Sequence, residues 1–376
     1  MIILGRVLFF VNDPLFLISH RLQLAKEAQK RGYVVHVASR SGEGESELRS
    51  LGFKYHSIPL SRSGMNPFWE FFCFLCFLRI LWRLRPRILH LVTVKPVLYG
   101  GIAARLAPVG GVVAAISGLG FIFTAEGKKA LALRGVVGIL YRIALGHGNL
   151  CAIFQNEDDR SLFIRMGAVT RNRSVLIRGS GVNLSLYKFT PERSGVPVVT
   201  FAARLLHNKG VAEFVEVARL FQQRGIQANF QLVGDRDPDN PTSVGTEELA
   251  RWRSEGIIEY LGYQRDIARI FADSNIVVLP SYREGLPKVL VEAAACGRAV
   301  VTTDVPGCRD AIEANTSGLL VPVRDVEALA VAIQKLLESP ELRRRMGMAG
   351  RQLAEREYDI DSIVQQHLKI YRELGV

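Results

Sequence analysis

Two segments in the second half of the chain carry charged side chains at spacings that suit a phosphorylated sugar. ARLLHNKG, residues 203–210, follows the β-branched run VVTFAA and is followed by a helix-period stretch to about Arg224. Read as strand, turn and helix, it puts Arg204 at the strand's end, Asn208 at the N-cap and Lys209 at the mouth of a helix beginning near Gly210. Two cations and a helix N-terminus then converge on one point, which is how a diphosphate is held: the helix offers free N–H groups and the positive end of its dipole, and Arg forks onto oxygens. The second segment, EGLPKVLVE at residues 284–292, follows IVVLPS. Pro287 suits the first position of a helix that Gly297 would end, leaving Glu284 in the loop and Glu292 inside the helix. A carboxylate at a strand's carboxyl end can touch sugar hydroxyls, and one further into the helix can take both hydroxyls of a ribose. Backbone N–H groups from Gly285 onward can meet phosphate oxygens.

Such groups need a rigid frame, and the rest of the sequence supplies one. Short apolar runs alternate with helical stretches in both halves: FFV, a helix from about Ile18 to Lys30, VVHVAS, ILHLV and VVAAIS in the first, and VVTFAA, FQLVG, IIEYL, IVVLPS and AVVTT in the second. Alternation of this kind makes parallel, doubly wound α/β sheets. At 376 residues the chain is long for one core and suits two lobes. RGSGVNLSLYKFTPERSGVP, rich in Gly, Ser and Pro, reads as their connection, which sets the lobes at residues 1–186 and 187–354 with a final helix at 355–376 crossing back to the first. Two Rossmann-like lobes facing a cleft are expected, with the chemistry in loops at the carboxyl ends of strands.

The two glutamates eight positions apart, with ARLLHNKG upstream, resemble the retaining glycosyltransferases of family 4, which have the GT-B fold. The likeness spans essentially the whole chain: RGSGVN resembles the interdomain hinge, LGYQRDI the nucleoside-base loop and YRELGV the returning helix. TVKPVLYG, AISGLG and LVGDRDPDNP are most similar to bacterial enzymes that extend sugars on a polyprenyl-diphosphate carrier. The resemblance implies a UDP-sugar donor whose diphosphate is neutralised by Arg204 and Lys209. Glu284 would contact the transferred sugar and Glu292 the ribose, with Gly234, Gly285, Leu286, Pro287 and Lys288 lining the donor and Gln264 and Arg265 beside the uracil. It also implies retention of anomeric configuration, transfer of a hexose-type sugar to a lipid-linked saccharide, and no metal or other cofactor. Cleaving a bond to a diphosphate requires charge stabilisation more than a proton, so the glutamates differ in role from a glycosidase pair. The chain departs from the family pattern at NDPLFLISHR, which lacks the glycine-rich loop after the first strand, and at Ser117, where relatives place a His. His20 and Arg21 either serve the fold or reach acceptor phosphates. Asp235 and Asp237 imitate a DxD metal motif, but turn chemistry explains them better in so Asp-, Pro- and Asn-rich a loop.

Charge and hydropathy extend this picture. Residues 1–186 hold 24 basic and 10 acidic side chains, a net +14, whereas residues 187–376 hold 24 and 26. The excess fits an anionic membrane, an anionic substrate or nucleic acid. Nucleic acid is disfavoured because no helix-turn-helix or aromatic stacking platform accompanies it. NPFWEFFCFLCFLRILWRLRPR mixes aromatics with Arg79, Arg83, Arg85 and Arg87, yet its uncharged run Phe71–Leu78 is far short of the roughly 18 residues needed to span. An interfacial helix is expected there, and KKALALRGVVGILYRIALGHGN, residues 128–149, has the same character. Together these imply a cytoplasmic protein held peripherally on the inner face of the cell membrane. The opening MIILGRVLFFVND, split by Arg6 and ended by Asp13, reads as a buried strand and not a leader. Five scattered cysteines suit reduced thiols, and Cys73 and Cys76 share a face of an apolar helix without a metal or redox pattern. Lipopolysaccharide O-antigen, capsule and protein-glycan assembly all remain open. The competing readings are a non-hydrolysing UDP-sugar epimerase and a non-catalytic subunit that binds a nucleotide sugar.

Overall fold

The computed structural model describes residues 4–60, 66–118 and 128–375, with the side chains of residues 128–133 outside the description. Leu119 and Gly120 of AISGLG lie outside the described residues, as do Met1–Ile3 of the opening run. The chain divides into two units, Met1–Ser180 with Asp361–Val376, and Gly181–Ile360.

The first unit holds seven parallel strands: β1 (Gly5–Phe10), β2 (Tyr33–Ser39), β3 (Lys54–Ser57), β4 (Ile88–Val92), β5 (Gly111–Ile116), β6 (Leu150–Phe154) and β7 (Ser174–Leu176). Their order is β3-β2-β1-β4-β5-β6-β7, so the winding reverses between β1 and β4. The second holds β8 (Val198–Ala202), β9 (Asn229–Val233), β10 (Glu259–Gly262), β11 (Ile276–Leu279), β12 (Ala299–Thr303) and β13 (Gly318–Val321). Here the order is β10-β9-β8-β11-β12-β13, with the reversal between β8 and β11. Central strands such as β4, β11 and β12 are buried along their whole length and mostly apolar because helices cover both faces of each sheet.

Several boundaries differ from the sequence reading. The first helix runs Pro14–Lys30 and begins four residues before Ile18, because Asp13 accepts from the Leu15 N–H and Pro14 occupies the first turn. The second unit begins at Gly181 and not at residue 187, since Val182 bridges to Asp359 and Tyr187 packs into that unit's core. The return to the first unit comes at Asp361 and not at residue 355: a π-helical turn, Ala354–Tyr358, stays with the second unit and the helix Ile360–Leu374 crosses. The connection expected at residues 178–197 is therefore mostly ordered within the second unit, where Glu192 pairs with the buried Arg343 at 2.8 Å.

In the first unit, Cys73 is buried and its thiol donates to the Pro59 carbonyl at 2.7 Å, consistent with a packing role. His20 stacks on Phe16 with ring centroids 4.2 Å apart and bonds Ser19 Oγ at 2.7 Å, while Arg21 is buried beneath the helix. Both make contacts within the local fold.

Candidate active site

The reversal of strand order in the second unit decides where its site lies. Where neighbouring strands send their helices to opposite faces, the loops at their carboxyl ends part and leave a crevice. In this sheet those are the loops after β8 and β11, and they are the two segments that carry Arg204, Lys209 and Glu284.

After β8 the chain makes a tight turn, His207–Lys209, before the helix Val211–Arg224. Gly210 leads the helix in a left-handed conformation, φ 76°, and no side chain caps it. Asn208 is thus not the N-cap expected from sequence, because the extra turn intervenes. Its carbonyl instead accepts from Tyr282 N–H at 3.0 Å and lies 3.1 Å from Ser281 Oγ, joining the two site loops. This places Lys209 against Glu284 in an ion pair, with side chains only 19% and 13% exposed. Ser281 Oγ donates to the same carboxylate oxygen of Glu284 at 2.8 Å. Glu284 is held from behind as well: its N–H bonds the Pro306 carbonyl at 3.1 Å, and Gly307, at φ 83°, lies so close that a Cβ there would sit 2.4 Å from the Glu284 carbonyl oxygen. Burial first, and Glu284 next, push the Cys308 thiol up to about 12, so this neighbour is a neutral wall and not a nucleophile.

Arg204 lies at the end of β8 and its Nη1 donates to Asp237 Oδ2 at 2.5 Å. Asp237 is buried and belongs to a turn in which Ser243 Oγ accepts from its N–H at 3.1 Å and Asn240 N–H donates to its carbonyl at 2.8 Å. The turn chemistry expected of this loop is present, and the carboxylate also aims one edge of the Arg204 guanidinium, leaving other N–H donors for an anion. Asp235 accepts from the Tyr260 hydroxyl at 2.9 Å. Among the described residues no group of three His, Cys, Asp or Glu side chains could hold a metal ion.

Gly234 follows β9 at φ 121°, and a Cβ there would lie 1.9 Å from the Ala203 carbonyl oxygen, so only glycine lets the ends of β8 and β9 meet. Its N–H bonds the Gly262 carbonyl at 2.8 Å, which brings in the loop after β10. There Gln264 turns its amide back onto the Leu261 carbonyl at 2.6 Å, while Arg265 is exposed.

Beyond Glu284 the chain buries Gly285, Leu286 and Pro287 and enters the helix Lys288–Ala295. Pro287 is the residue before the helix and not its first member, because it keeps an extended ψ of 117°. Glu292, 6% exposed, accepts from Lys288 Nζ at 2.8 Å and from the Tyr187 hydroxyl at 2.5 Å. Burial, with the adjacent carboxylate, holds the Tyr187 phenol well above its ordinary range, so it remains a donor. Ser281, Gly307 and Tyr187 escaped sequence reasoning, and Asp237, read there as a turn residue, was not expected to hold Arg204: the contacts of Asp237, Gly307 and Tyr187 join residues distant in sequence, and Ser281 gave no signal of its own.

With two fixed cations, a buried carboxylate beside one of them and a second carboxylate in the following helix, this crevice has donors for a diphosphate and acceptors for hydroxyl groups. The family models agree with that chemistry. Residues 186–353 match "Glycosyl transferases group 1" and residues 6–150 match "Glycosyl transferase 4-like". A full-length relative, the N,N'-diacetylbacillosaminyl-diphospho-undecaprenol alpha-1,3-N-acetylgalactosaminyltransferase of Campylobacter jejuni, is 32% identical over 93% of this chain and 94% of its own. The chain belongs to the glycosyltransferases. Solved structures add the fold: the sucrose-phosphate synthase of Thermosynechococcus elongatus superposes with a TM-score of 0.80 at 20% identity, covering 98% of each chain. Anabaena Alr3699/HepE, solved in complex with UDP, gives 0.76 at 19% identity, covering 98% of this chain and all of its own. This glycosyltransferase therefore has the GT-B arrangement of two Rossmann-type domains.

Proposed function

We propose that this glycosyltransferase moves a hexose-type sugar, with retention, from a UDP-sugar to a saccharide carried on polyprenyl diphosphate at the inner face of the cell membrane. The observation that carries the donor half is the Lys209–Glu284 pair, set at the sheet's reversal with Arg204 alongside. An arriving diphosphate competes with Glu284 for the Lys209 ammonium. The carboxylate so released faces hydroxyls of the sugar, while Arg204 and Lys209 stabilise the charge that builds on the leaving oxygen. Glu292, oriented by Tyr187 and Lys288, takes the ribose hydroxyls, and the loop at Gln264 and Arg265 takes the base.

The acceptor half is supported by the Campylobacter jejuni relative, whose name specifies a diphospho-undecaprenol-linked sugar. It is supported also by the surface of the first unit. On the helix Pro67–Leu84, Phe68, Phe71 and Phe72 are 89%, 61% and 50% exposed, with Trp69, Leu75 and Trp82 exposed beside them. On Lys128–Ala144, Val136, Ile139 and Ile143 are exposed among Arg134 and Arg142. Among the described residues no helix is long and apolar enough to cross a membrane. Faces of this kind lie in the interface with the arginines on headgroups.

The test is to incubate the purified protein with bacterial membranes and a panel of labelled UDP-sugars and to count label in the organic phase. One donor should label lipid, and Glu284→Ala and Lys209→Ala should not. A sugar nucleotide that is isomerised or merely bound, with no lipid labelled by any donor, would replace this reading with an epimerase or a binding subunit.

A further inference from the structure

The crevice at the carboxyl ends of the strands is where ligands of such sheets bind, yet the first unit has a second concavity at the opposite edge. It has a volume of about 660 Å³ and is lined by residues at the amino ends of β1 to β5. Four of them are cations: Arg6 on β1, Lys54 on β3, and Arg85 and Arg87 just before β4. No Asp or Glu lines it, and among the described residues none of the four is in an ion pair. Like charges gathered without counter-ions repel one another, so the arrangement lowers stability unless an anion completes it.

Part of this charge answers to the backbone. Arg6 Nη1 donates to the Leu84 carbonyl at 2.7 Å, at the end of the helix Pro67–Leu84, and Arg87 Nη2 donates to the Gly375 carbonyl. Each spends one of five N–H donors in this way. Lys54 and Arg85 are exposed and, among the described residues, make no such bond, which separates them from ordinary helix-end cations. Arg85 also adopts a left-handed backbone, φ 44°, in which a Cβ is disfavoured and glycine is usual. Glycine stands instead at the floor, where Gly5 lets the Arg87 side chain lie across the strand: a Cβ there would be 3.0 Å from Arg87 Cδ.

We propose that the concavity bounded by Arg6, Lys54, Arg85 and Arg87 is a binding site for a phosphate group carrying a small organic substituent, separate from the donor crevice. The volume falls within the range of small-molecule pockets, about 300 to 1,000 Å³, and far exceeds what a bare phosphate fills. The uncommitted Arg85 guanidinium, the remaining N–H donors of Arg6 and Arg87, and the Lys54 ammonium suit phosphate oxygens. The local field is strong enough to be felt by a neighbour: after burial and His56, Lys54 and Arg6 help lower His36 to about 4. Such a phosphate belongs either to a lipid headgroup or to a soluble ester. The lipid source rests on the membrane reading given above, because the exposed Trp82 lies one turn before Arg85 on the interfacial helix. The site itself does not depend on that reading.

Calorimetry of the full-length protein with glycerol phosphate tests it, alongside flotation on vesicles of phosphatidylcholine with or without phosphatidylglycerol. The informative variant is Lys54→Gln with Arg85→Gly, which removes two unpaired cations and suits the backbone at φ 44°, so the fold and UDP-sugar binding persist. Glycerol phosphate should bind the wild type and the Lys209→Ala variant alike, and bind the double variant about thirtyfold more weakly. No binding to the wild type, or equal binding to the double variant, would overturn the proposal. Where glycerol phosphate binding is lost, flotation names the source: a parallel loss of the phosphatidylglycerol-dependent part identifies a headgroup, and unchanged flotation identifies a soluble phosphate ester. Failure of UDP-sugar binding or of lipid labelling would strike the donor or acceptor reading and leave this site standing.

Discussion

The Tyr187 hydroxyl donates to Glu292 Oε1 at 2.5 Å, which ties the first residues of the second unit to the helix that carries the proposed ribose ligand. Lys288 reaches the same oxygen from one turn back. Glu292 is thus positioned before any donor arrives. Tyr187→Phe removes a hydrogen bond to a charged group, worth roughly 1.5 to 3 kcal/mol in stability. Initial-rate kinetics should show the KM for the donor rising about tenfold with kcat little changed. An unchanged KM would mean that Lys288 alone sets the carboxylate.

Lys209 and Glu284 are largely buried partners, so losing one leaves the other without its counter-charge. Lys209→Met and Glu284→Gln should each lower kcat by about 100-fold or more. Each should also lower the thermal midpoint, whereas the double variant should lower it by less than the sum. A double-mutant cycle on thermal unfolding reads the coupling, and strict additivity would show that the two charges do not interact.

Asp237 aims Arg204, and Asp235 is engaged by Tyr260. Asp237→Asn keeps the turn but weakens a charge-assisted bond, so the donor KM should rise less than in Arg204→Ala. Treatment with EDTA followed by gel filtration should leave the rate unchanged. A rate that falls and returns with added magnesium or manganese would assign the two aspartates to a metal instead.

Four histidines of the first unit, His36, His56, His90 and His367, have lowered pKa values, each chiefly through burial. Burial lowers His90 well below its ordinary value and His367 to about 3, and burial with the His56, Lys54 and Arg6 field lowers His36 to about 4. In the unfolded chain they titrate near 6.5, so between about 4 and 6.5 the unfolded state binds more protons. Stability is therefore full above pH 6.5 and is lost as pH falls toward 4. The thermal midpoint should drop across that window, and His36→Gln should flatten the drop. A midpoint independent of pH there would mean that these rings are protonated in the fold.

Phe68, Phe71 and Phe72 project from the helix Pro67–Leu84, and replacing them with Ser removes apolar contact without opening the core. Each exposed phenylalanine contributes roughly 1.5 to 3 kcal/mol if fully inserted. The triple variant should lose vesicle binding in flotation and keep its affinity for UDP-sugar. Undiminished flotation would leave the basic residues as the sole membrane contact.

The sequence by itself determined the class of fold, the existence of most strands and the two segments that meet at the candidate site, because those signals are local: apolar periodicity, turn residues, and charge at strand ends. ARLLHNKG and EGLPKVLVE were legible as strand–turn–helix units carrying Arg204, Lys209, Glu284 and Glu292. Only the tertiary structure decided which groups touch. That Lys209 pairs with Glu284 across 75 residues, that Tyr187 reaches Glu292 across 105, and that Asp237 holds Arg204 depend on strand order, which periodicity does not encode. The same is true of the basic concavity: Arg6, Lys54 and Arg87 are far apart along the chain and stand together because β1, β3 and β4 begin at one edge of the sheet. A parallel sheet aligns residues by register and not by separation in sequence, so charges scattered along the chain become a single field only when the strands have found their neighbours.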